Sequence, residues 1–171
     1  MEQLPLNNFL KKALEDDTWK YISERYVFSM EMLEKYSDKL NWDDITINCH
    51  NLWTVKGVEK LADKINWNIF SRNCPKEFVC EEILVKFSDK WDWSEMSSRK
   101  EFYNNWNLLE KFKDKADWNR IIKGWEIERP VEFLTKFKKY LPLDKIQETR
   151  LWSDLVLKYA DMLIKEIVGI K

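Results

Sequence analysis

The side chains that most readily act as nucleophiles or metal ligands in this 171-residue sequence are three cysteines and a single histidine, namely Cys49, Cys74, Cys80 and His50. Structural zinc sites usually pair their cysteines at C-x2-4-C spacing, and cysteine proteases combine the thiol with a histidine and an amide or carboxylate. Neither pattern occurs, nor do the H-E-x-x-H and G-x-S-x-G motifs. We therefore expect no enzyme activity, no metal and no cofactor. The cysteines are expected to act as small apolar fillers, with an irregular zinc site as the weaker alternative.

The charge balance and the glycine content exclude several classes of function. Lys and Arg total 29 and Asp and Glu total 30, so the net charge is -1 although 35% of the residues are charged. Such a balance gives no global field to attract nucleic acid or an anionic membrane. Only three glycines occur, too few and too scattered for a G-x-G-x-x-G turn or a P-loop. With 44% hydrophobic residues, including 10 tryptophans, the chain is rich enough in apolar side chains to fold.

The sequence also bears on the compartment. No stretch approaches the roughly 18 apolar residues that a membrane span requires. The segment Met1–Leu6 lacks the basic start and the apolar core of a signal peptide. An odd number of cysteines fits a reducing compartment better than a disulfide-stapled scaffold. We therefore predict a cytoplasmic protein with free thiols and no membrane partner.

An internal repeat is the strongest signal in the sequence. Four copies of a ten-residue motif, close to Leu-Glu-Lys-Phe-x-Asp-Lys-x-Asp-Trp, end at Trp42, Trp67, Trp93 and Trp118. We call these four residues the repeat tryptophans; they lie 25, 26 and 25 residues apart. Two diverged copies end at Trp19 and Leu143. Counted from the last motif residue, positions −9, −6 and −2 are almost always apolar, which is the spacing of a helical stripe.

The residue before each motif tryptophan predicts a helix start. It is Thr18, Asn41, Asn66, Asp92 or Asp117, and such side chains accept hydrogen bonds from the free amides of a first helical turn. An apolar residue follows the tryptophan at +3, usually with a serine or threonine at +4. Each copy is therefore expected to form a longer helix A, a sharp corner and a short helix B. The predicted fold class is all-α, with tandem two-helix repeats of about 25 residues stacked as a short α-solenoid.

No linker rich in Gly, Ser or Pro interrupts the sequence, so we predict one domain over residues 1–171. The repeat units are expected near residues 6–27, 28–51, 52–74, 75–100, 101–125 and 126–150. Pro75 and Pro130 suit the first turn of a helix A. An apolar stripe from Leu151 onward predicts a capping helix over residues 151–169 that ends near Gly169.

The motif resembles the tandem Asp-Lys-x-Asp-Trp repeats found in proteins of giant viruses and of some phages and bacteria. The resemblance covers Leu33 to Ile122 and is lost at Glu15–Trp19 and Lys139–Leu143, so a ligand that binds the motif is not expected to engage the ends. It implies a helical fold and a viral or mobile-element origin. Small phage proteins of this size often inhibit host defences, and anti-CRISPR proteins are examples. That step is an analogy from origin to role.

Two sets of residues are candidates for contact with a partner. Four tryptophans lie outside the motif, in joints or at helix starts, where large rings are typical of binding hot spots; they are Trp53, Trp106, Trp125 and Trp152. Eight lysines at positions −7 and −3 flank the aspartate at −4; they are Lys35, Lys39, Lys60, Lys64, Lys86, Lys90, Lys111 and Lys115. The favoured explanation of the lysines is a solvated helix face with Lys–Asp pairs, and that of the tryptophans is a filling role between joints. The repeat tryptophans are expected in the structural core.

The sequence thus predicts a non-enzymatic protein that binds a macromolecule and has no small-molecule substrate. A protein is the favoured partner, and the favoured role is inhibition of a host or defence protein. A generic scaffold or adaptor is one alternative. RNA binding is another, since single-strand binders combine lysines with aromatic stacking. The acidic residues beside the lysines argue against RNA because they would cancel much of the gain from counterion release.

Overall fold

The computed structural model of the chain describes residues 7–49, 52–124 and 126–169. All regular structure within these ranges is helical and no strand occurs there, which confirms the predicted all-α class. No described helix is both long and apolar enough to span a membrane. The chain divides into two compact units, residues 1–78 and residues 79–171.

The N-terminal unit contains helices α1 to α5 and a 3-10 turn. In chain order these are Asn8–Arg25, Met30–Lys35, Trp42–Asn48, Val55–Leu61, Trp67–Asn73 and the turn Lys76–Phe78. Within this unit α3 packs against both α1 and α5, so the helices that contain or begin at Trp19, Trp42 and Trp67 lie side by side.

The C-terminal unit contains helices α6 to α13. They are Glu81–Lys86, Trp93–Ser97, Lys100–Tyr103, Trp106–Lys111, Trp118–Ile121, Pro130–Phe137, Leu143–Ile146 and Arg150–Val168. Helix α7 packs against α8 and α10, α8 packs against α9, and α11 packs against α13.

Helices begin at all four repeat tryptophans, as the capping residues predict. The Asn41 side chain accepts the amides of Asp43 and Asp44 at 3.0 and 3.4 Å, and the equivalent carboxylate of Asp92 accepts the amide of Glu95 at 3.0 Å. Asn66 and Asp117 cap α5 and α10 in the same way. Each cap satisfies amides that have no partner inside the first helical turn.

Helix A is shorter than predicted. The helices that precede the corners, α2, α4, α6 and α9, have 6, 7, 6 and 6 residues and end six or seven residues before the tryptophan. A hydrogen-bonded turn follows, in which the amide at −3 donates to the carbonyl at −6 at 2.9 Å, as from Lys64 to Leu61. The Ser and Asp side chains common in this segment favour turns over helix interiors. The corner is therefore a turn of several residues.

The first copy does not turn at all, so the prediction of a new helix after Thr18 is wrong. Helix α1 continues from Asn8 to Arg25, and the Thr18 hydroxyl donates to the Leu14 carbonyl at 2.6 Å within the helix. Glu15, a strong helix former, stands at position −4, where the four motif copies have aspartate, a weaker one. Pro130 begins α11 as predicted, whereas Pro75 precedes only the 3-10 turn and α6 begins at Glu81.

The predicted apolar stripe forms the core. Leu33, Val58, Leu84 and Leu109 at position −9 are fully buried. At position +3, Ile45, Phe70, Met96 and Ile121 are at most 1% exposed. These side chains come from helices too short to be stable alone, so their mutual burial is what holds the helices in place.

The C-terminal helix forms as predicted, but its apolar stripe is not covered by its own unit. Thr149 caps the start of α13, and Gly169 ends it in a left-handed conformation (φ 70°) that suits glycine. Leu151 is the one buried residue of this helix. Val156, Tyr159 and Ile167, all predicted stripe residues, are 50%, 63% and 82% exposed. Most of the predicted stripe therefore lies exposed in the described part of the chain.

Candidate functional site

The repeat tryptophans fix the corners of the chain. The indole nitrogens of Trp42, Trp67, Trp93 and Trp118 donate to the carbonyl five residues earlier at 2.8, 2.7, 3.1 and 3.0 Å. These carbonyls follow helix A and would otherwise lack an intrahelical donor. The rings are half-buried. Their hydrogen bonds explain why tryptophan, which combines a large ring with an N–H donor, recurs at this position.

The motif tryptophans also contact the next copy. Trp19 lies 5.2 Å from Tyr36, Trp93 lies 5.0 Å from Phe112, and Trp118 lies 5.5 Å from Phe137, between ring centroids. In each case the second ring is at position −6 of the following copy. The repeat spacing in the sequence therefore corresponds to a repeated aromatic contact between copies.

A buried hydroxyl joins consecutive copies. Ser23, Thr46 and Ser97 at position +4 are at most 1% exposed. Each donates to the carbonyl of its own tryptophan and accepts the amide of the next capping residue. For Thr46 the distances are 2.6 Å to the Trp42 carbonyl and 3.2 Å from the Asn66 amide, and for Ser97 they are 2.6 and 2.8 Å. The recurrence of Ser or Thr at +4 is visible in the sequence, but the hydrogen bond to the next copy was not predicted from it.

The last junction lacks both partners of this bond. Ile122 stands where the hydroxyl would be, and Pro142, which has no amide hydrogen, stands at the capping position of the next copy. Ile122 is 1% exposed, so a methyl group fills the space of the hydroxyl without leaving a donor unsatisfied. The hydroxyl and the amide that would donate to it are thus lost together, which supports a role for the hydroxyl in joining two copies.

The lysine ridge, the eight lysines at positions −7 and −3, pairs largely with acids of the preceding copy. Lys60 lies 2.8 Å from Glu34, and Lys64 lies 2.9 Å from Asp38. Lys39 lies 2.9 Å from Glu15.

Where Val85 replaces the glutamate of the motif, Lys111 pairs with Glu81 instead. Lys115 donates to the Ser88 carbonyl at 3.0 Å and lies over the Trp93 ring, and Lys35 lies over Tyr36. Lys86 and Lys90 have partners as well. The four pairs with acids are intercopy contacts rather than the predicted pairs along one helix, and they neutralise half of the ridge lysines.

These ion pairs predict a measurable pKa change. The hydrogen bond and the charge of Lys64 hold the pKa of Asp38 below its ordinary value. A carboxyl whose pKa is lowered in the folded state stabilises that state at neutral pH, and this contribution is lost as pH falls through the folded pKa. Lys64→Gln should therefore raise the pKa of Asp38 in a carboxyl-carbon NMR titration.

Glu15 provides the control for this titration. Its pKa is lowered by Lys39, not by Lys64, so it should stay low in the Lys64→Gln variant. An unchanged pKa for Asp38 would mean that the ion pair does not form in solution. The effect on overall stability should be small because both side chains are exposed to solvent.

The tryptophans outside the motif occupy different environments. Trp53 is 5% exposed and packs edge-on against Phe70 at 5.3 Å, which makes it a core residue. Trp152 is 36% exposed in the first turn of α13. Trp125 lies outside the described residues. Trp106 begins α9 and lines a cleft, and it is the tryptophan of this set that best fits a contact role.

The cleft at Trp106 has a volume of about 980 Å³ and is formed by the start of α9 and the segment 126–129. The Arg129 guanidinium lies 4.2 Å from the centre of the Trp106 ring, within the range of a cation–π interaction. Trp106 also packs edge-on against Phe133 and Phe137. Its buried indole nitrogen has no hydrogen-bond partner among the described residues.

Arg129 adopts a backbone conformation that is rare for its residue type. Its φ is 48° and its ψ is 63°, and it directly precedes Pro130. It is the sole positive-φ residue other than glycine in the described part of the chain. Such a conformation costs on the order of 1–3 kcal/mol and persists only where neighbouring contacts enforce it. The residues around Arg129 carry no local signal for a left-handed backbone, so it was not among the predicted site residues.

Asn104 and Lys100 hold the segment that carries Arg129. The Asn104 amide donates to the Glu126 carbonyl at 2.7 Å, and its side-chain oxygen accepts the Glu128 amide at 3.0 Å. Lys100 forms an ion pair with the Glu126 carboxylate at 2.7 Å, which raises the pKa of Lys100. In contrast, Arg129 forms no ion pair with any described residue. The cleft therefore presents one exposed guanidinium held against an aromatic ring.

Burial disfavours activation of the Cys49 thiol. All three are free thiols, Cys49 and Cys74 are buried, and burial raises the pKa of the Cys49 thiol. Reactive thiols have lowered pKa values. No cluster of metal-ligating side chains occurs among the residues that the structure describes, and His50 lies outside them.

Comparison of the chain with protein-family models, with curated proteins and with solved structures finds no match.

Proposed function

We propose that this chain is a non-enzymatic repeat protein that binds another protein and uses the Trp106–Arg129 cleft as its contact surface. The observation that carries the proposal is the unpaired Arg129 guanidinium, held over the Trp106 ring by a strained but pinned backbone. Tryptophan and arginine are the residue types most enriched at binding hot spots. A preorganised arginine loses little freedom on binding, so more of its interaction energy contributes to affinity.

The charges of the cleft favour a protein over a nucleic acid. Lys100 and Glu126 neutralise each other, Glu101 pairs with Arg99 beside the cleft, and Glu128 and Arg129 add one charge of each sign. Half of the lysine ridge is balanced by acids of the preceding copy. A surface that binds RNA through counterion release needs a clear excess of positive charge. We therefore propose a protein partner that places an acidic side chain against Arg129.

The proposal extends to architecture and role. We propose that the motif copies stack as a short α-solenoid, supported by the tryptophan, hydroxyl and lysine contacts between successive copies within each unit. The resemblance to viral and phage repeats favours an inhibitor of a host or defence protein, of the anti-CRISPR type. A generic scaffold or adaptor is the alternative role for the same surface.

Two variants separate protein binding from RNA binding. Trp106→Ala should weaken capture of the protein partner by at least about 30-fold, since hot-spot residues contribute about 2 kcal/mol or more. The triple variant Lys60→Glu, Lys86→Glu and Lys111→Glu should leave that capture nearly unchanged. Affinity measured with the captured partner by calorimetry gives the readout, and circular dichroism confirms that each variant is folded.

Trp152→Ala is the matched control, because it removes an exposed tryptophan of the same unit that does not line the cleft. It should change the affinity less than twofold. Loss of binding in the triple lysine variant, with binding intact in Trp106→Ala, would replace the proposal with RNA binding or with a partner bound at the lysine ridge.

A further inference from the structure

Helix α13 carries an apolar surface that its own unit leaves uncovered. Leu157, Ile164 and Ile167 are 69%, 58% and 82% exposed, and with Ser153 and Ala160 they recur at alternating spacings of four and three residues. We call these five residues the α13 seam. Alternating spacings of four and three are typical of a helix that packs along another helix. Leu151, through which α13 packs onto its own unit, lies on the opposite side of the helix from Ala160, whereas Leu157 at the edge of the seam lines a cavity with Leu151 and Pro130.

We propose that the α13 seam binds the α13 seam of a second copy of this chain, with the two helices antiparallel and their two-fold axis at Ala160. The small Ala160 side chains then meet at the centre of the pair, where they allow close approach. On either side Leu157 faces the partner's Ile164, and Ser153 faces the partner's Ile167. Both contacts occur twice, once on each side of the axis, as an isologous interface requires.

The charges beside the seam favour this pairing. Asp154, Lys158, Asp161 and Lys165 alternate in sign along one flank of the seam. In an antiparallel pair centred at Ala160, the same flanks face each other, so Asp154 meets Lys165 and Lys158 meets Asp161. In the single chain Asp161 lies 2.7 Å from Lys165 and Asp154 lies 3.7 Å from Arg150, so in the proposed dimer each acid would lie between a basic residue of its own helix and one of the partner helix.

The same charges argue against a membrane surface as the occupant. Helices that lie on anionic membranes carry an excess of Lys and Arg on the polar face. Helix α13 has three basic residues, Arg150, Lys158 and Lys165, against three acidic ones, Asp154, Asp161 and Glu166. The paired helices would form an interface at the small end of the usual range, so a reversible dimer is expected.

A cysteine at the two-fold axis tests the register. In the whole chain, Ala160→Cys should form a disulfide-linked dimer under mild oxidation, because the two residues meet at the axis. Glu166→Cys, at a more exposed position outside the seam of the same helix, should not form one. The native cysteines are buried or half-buried and serve as the background in the unmodified chain. Equal crosslinking of the two variants, or none in Ala160→Cys, would overturn the proposed register.

Charge exchange tests the pairing without relying on disulfides. Lys158→Asp should raise the dimer dissociation constant by about tenfold or more, as it places like charges together. Adding Asp161→Lys should restore dimerisation, because in the double variant each flank again meets its opposite. Sedimentation velocity over a concentration series gives the constants. A wild-type chain that stays monomeric, or a double variant no better than the single one, would refute the proposal and leave the cleft unaffected.

Discussion

Replacing Trp67 with alanine is expected to lower the free energy of unfolding by about 3–5 kcal/mol, the usual cost of removing a large aromatic ring from a packed site. The ring of Trp67 packs edge-on against Phe70 at 5.6 Å, and Phe70 is 1% exposed. Its indole nitrogen donates to the Ala62 carbonyl at 2.7 Å. Urea denaturation followed by circular dichroism measures the change without depending on tryptophan fluorescence.

Trp67→Phe separates the two contributions. It keeps an aromatic ring against Phe70 but removes the hydrogen bond to Ala62, so about 1 kcal/mol should be lost. A loss below about 1 kcal/mol for the alanine variant itself would show that the repeat tryptophans do not hold the corners.

The second large effect is expected at the junction hydroxyl. Ser97→Ala should cost about 1–3 kcal/mol, because the amide of Asp117 loses its acceptor in a site that water does not reach easily. Ser97 is fully buried, and its hydroxyl accepts the Asp117 amide at 2.8 Å while donating to the Trp93 carbonyl at 2.6 Å. Thermal and urea unfolding of the same variant give the change in stability.

Ser98→Ala is the control for this substitution. Ser98 directly follows Ser97, but it is exposed, and its hydroxyl donates to the Glu95 carbonyl of its own copy at 2.7 Å. Its replacement should change the free energy of unfolding by less than about 0.5 kcal/mol. If both variants lost the same small amount of unfolding free energy, the Ser97 hydroxyl would not stabilise the junction between the two copies.

Local signals in the sequence were sufficient to predict the helix starts. Asn41, Asn66, Asp92 and Asp117 cap the helices that begin at the repeat tryptophans, because a cap depends on residues within one turn. The same signal failed at Thr18, where strong helix formers continue α1 through the expected corner. There the helix propensity of the whole segment outweighed the single capping residue Thr18, so no new helix begins at Trp19.

Contacts between distant segments were less accessible to sequence reasoning. The motif showed which lysines and acids recur, but pairing along one helix and pairing between copies use the same residues. The structure places Lys64 beside Asp38, 26 residues earlier. Arg129 gave no signal, since the segment before it is held by hydrogen bonds with Asn104, more than 20 residues earlier, which donates to the Glu126 carbonyl and accepts the Glu128 amide. The apolar stripe of α13 predicted a helix correctly, but periodicity alone does not identify the surface that covers it.

Capture of partners by the tagged whole chain, with and without nuclease, tests the central claim most directly. Wild type and Trp106→Ala would be compared side by side in a host cell extract, with bound protein identified by mass spectrometry. We expect a stoichiometric protein that survives nuclease and is lost from Trp106→Ala. RNA that co-purifies with both chains, with all bound proteins released by nuclease, would contradict the proposed protein-binding function.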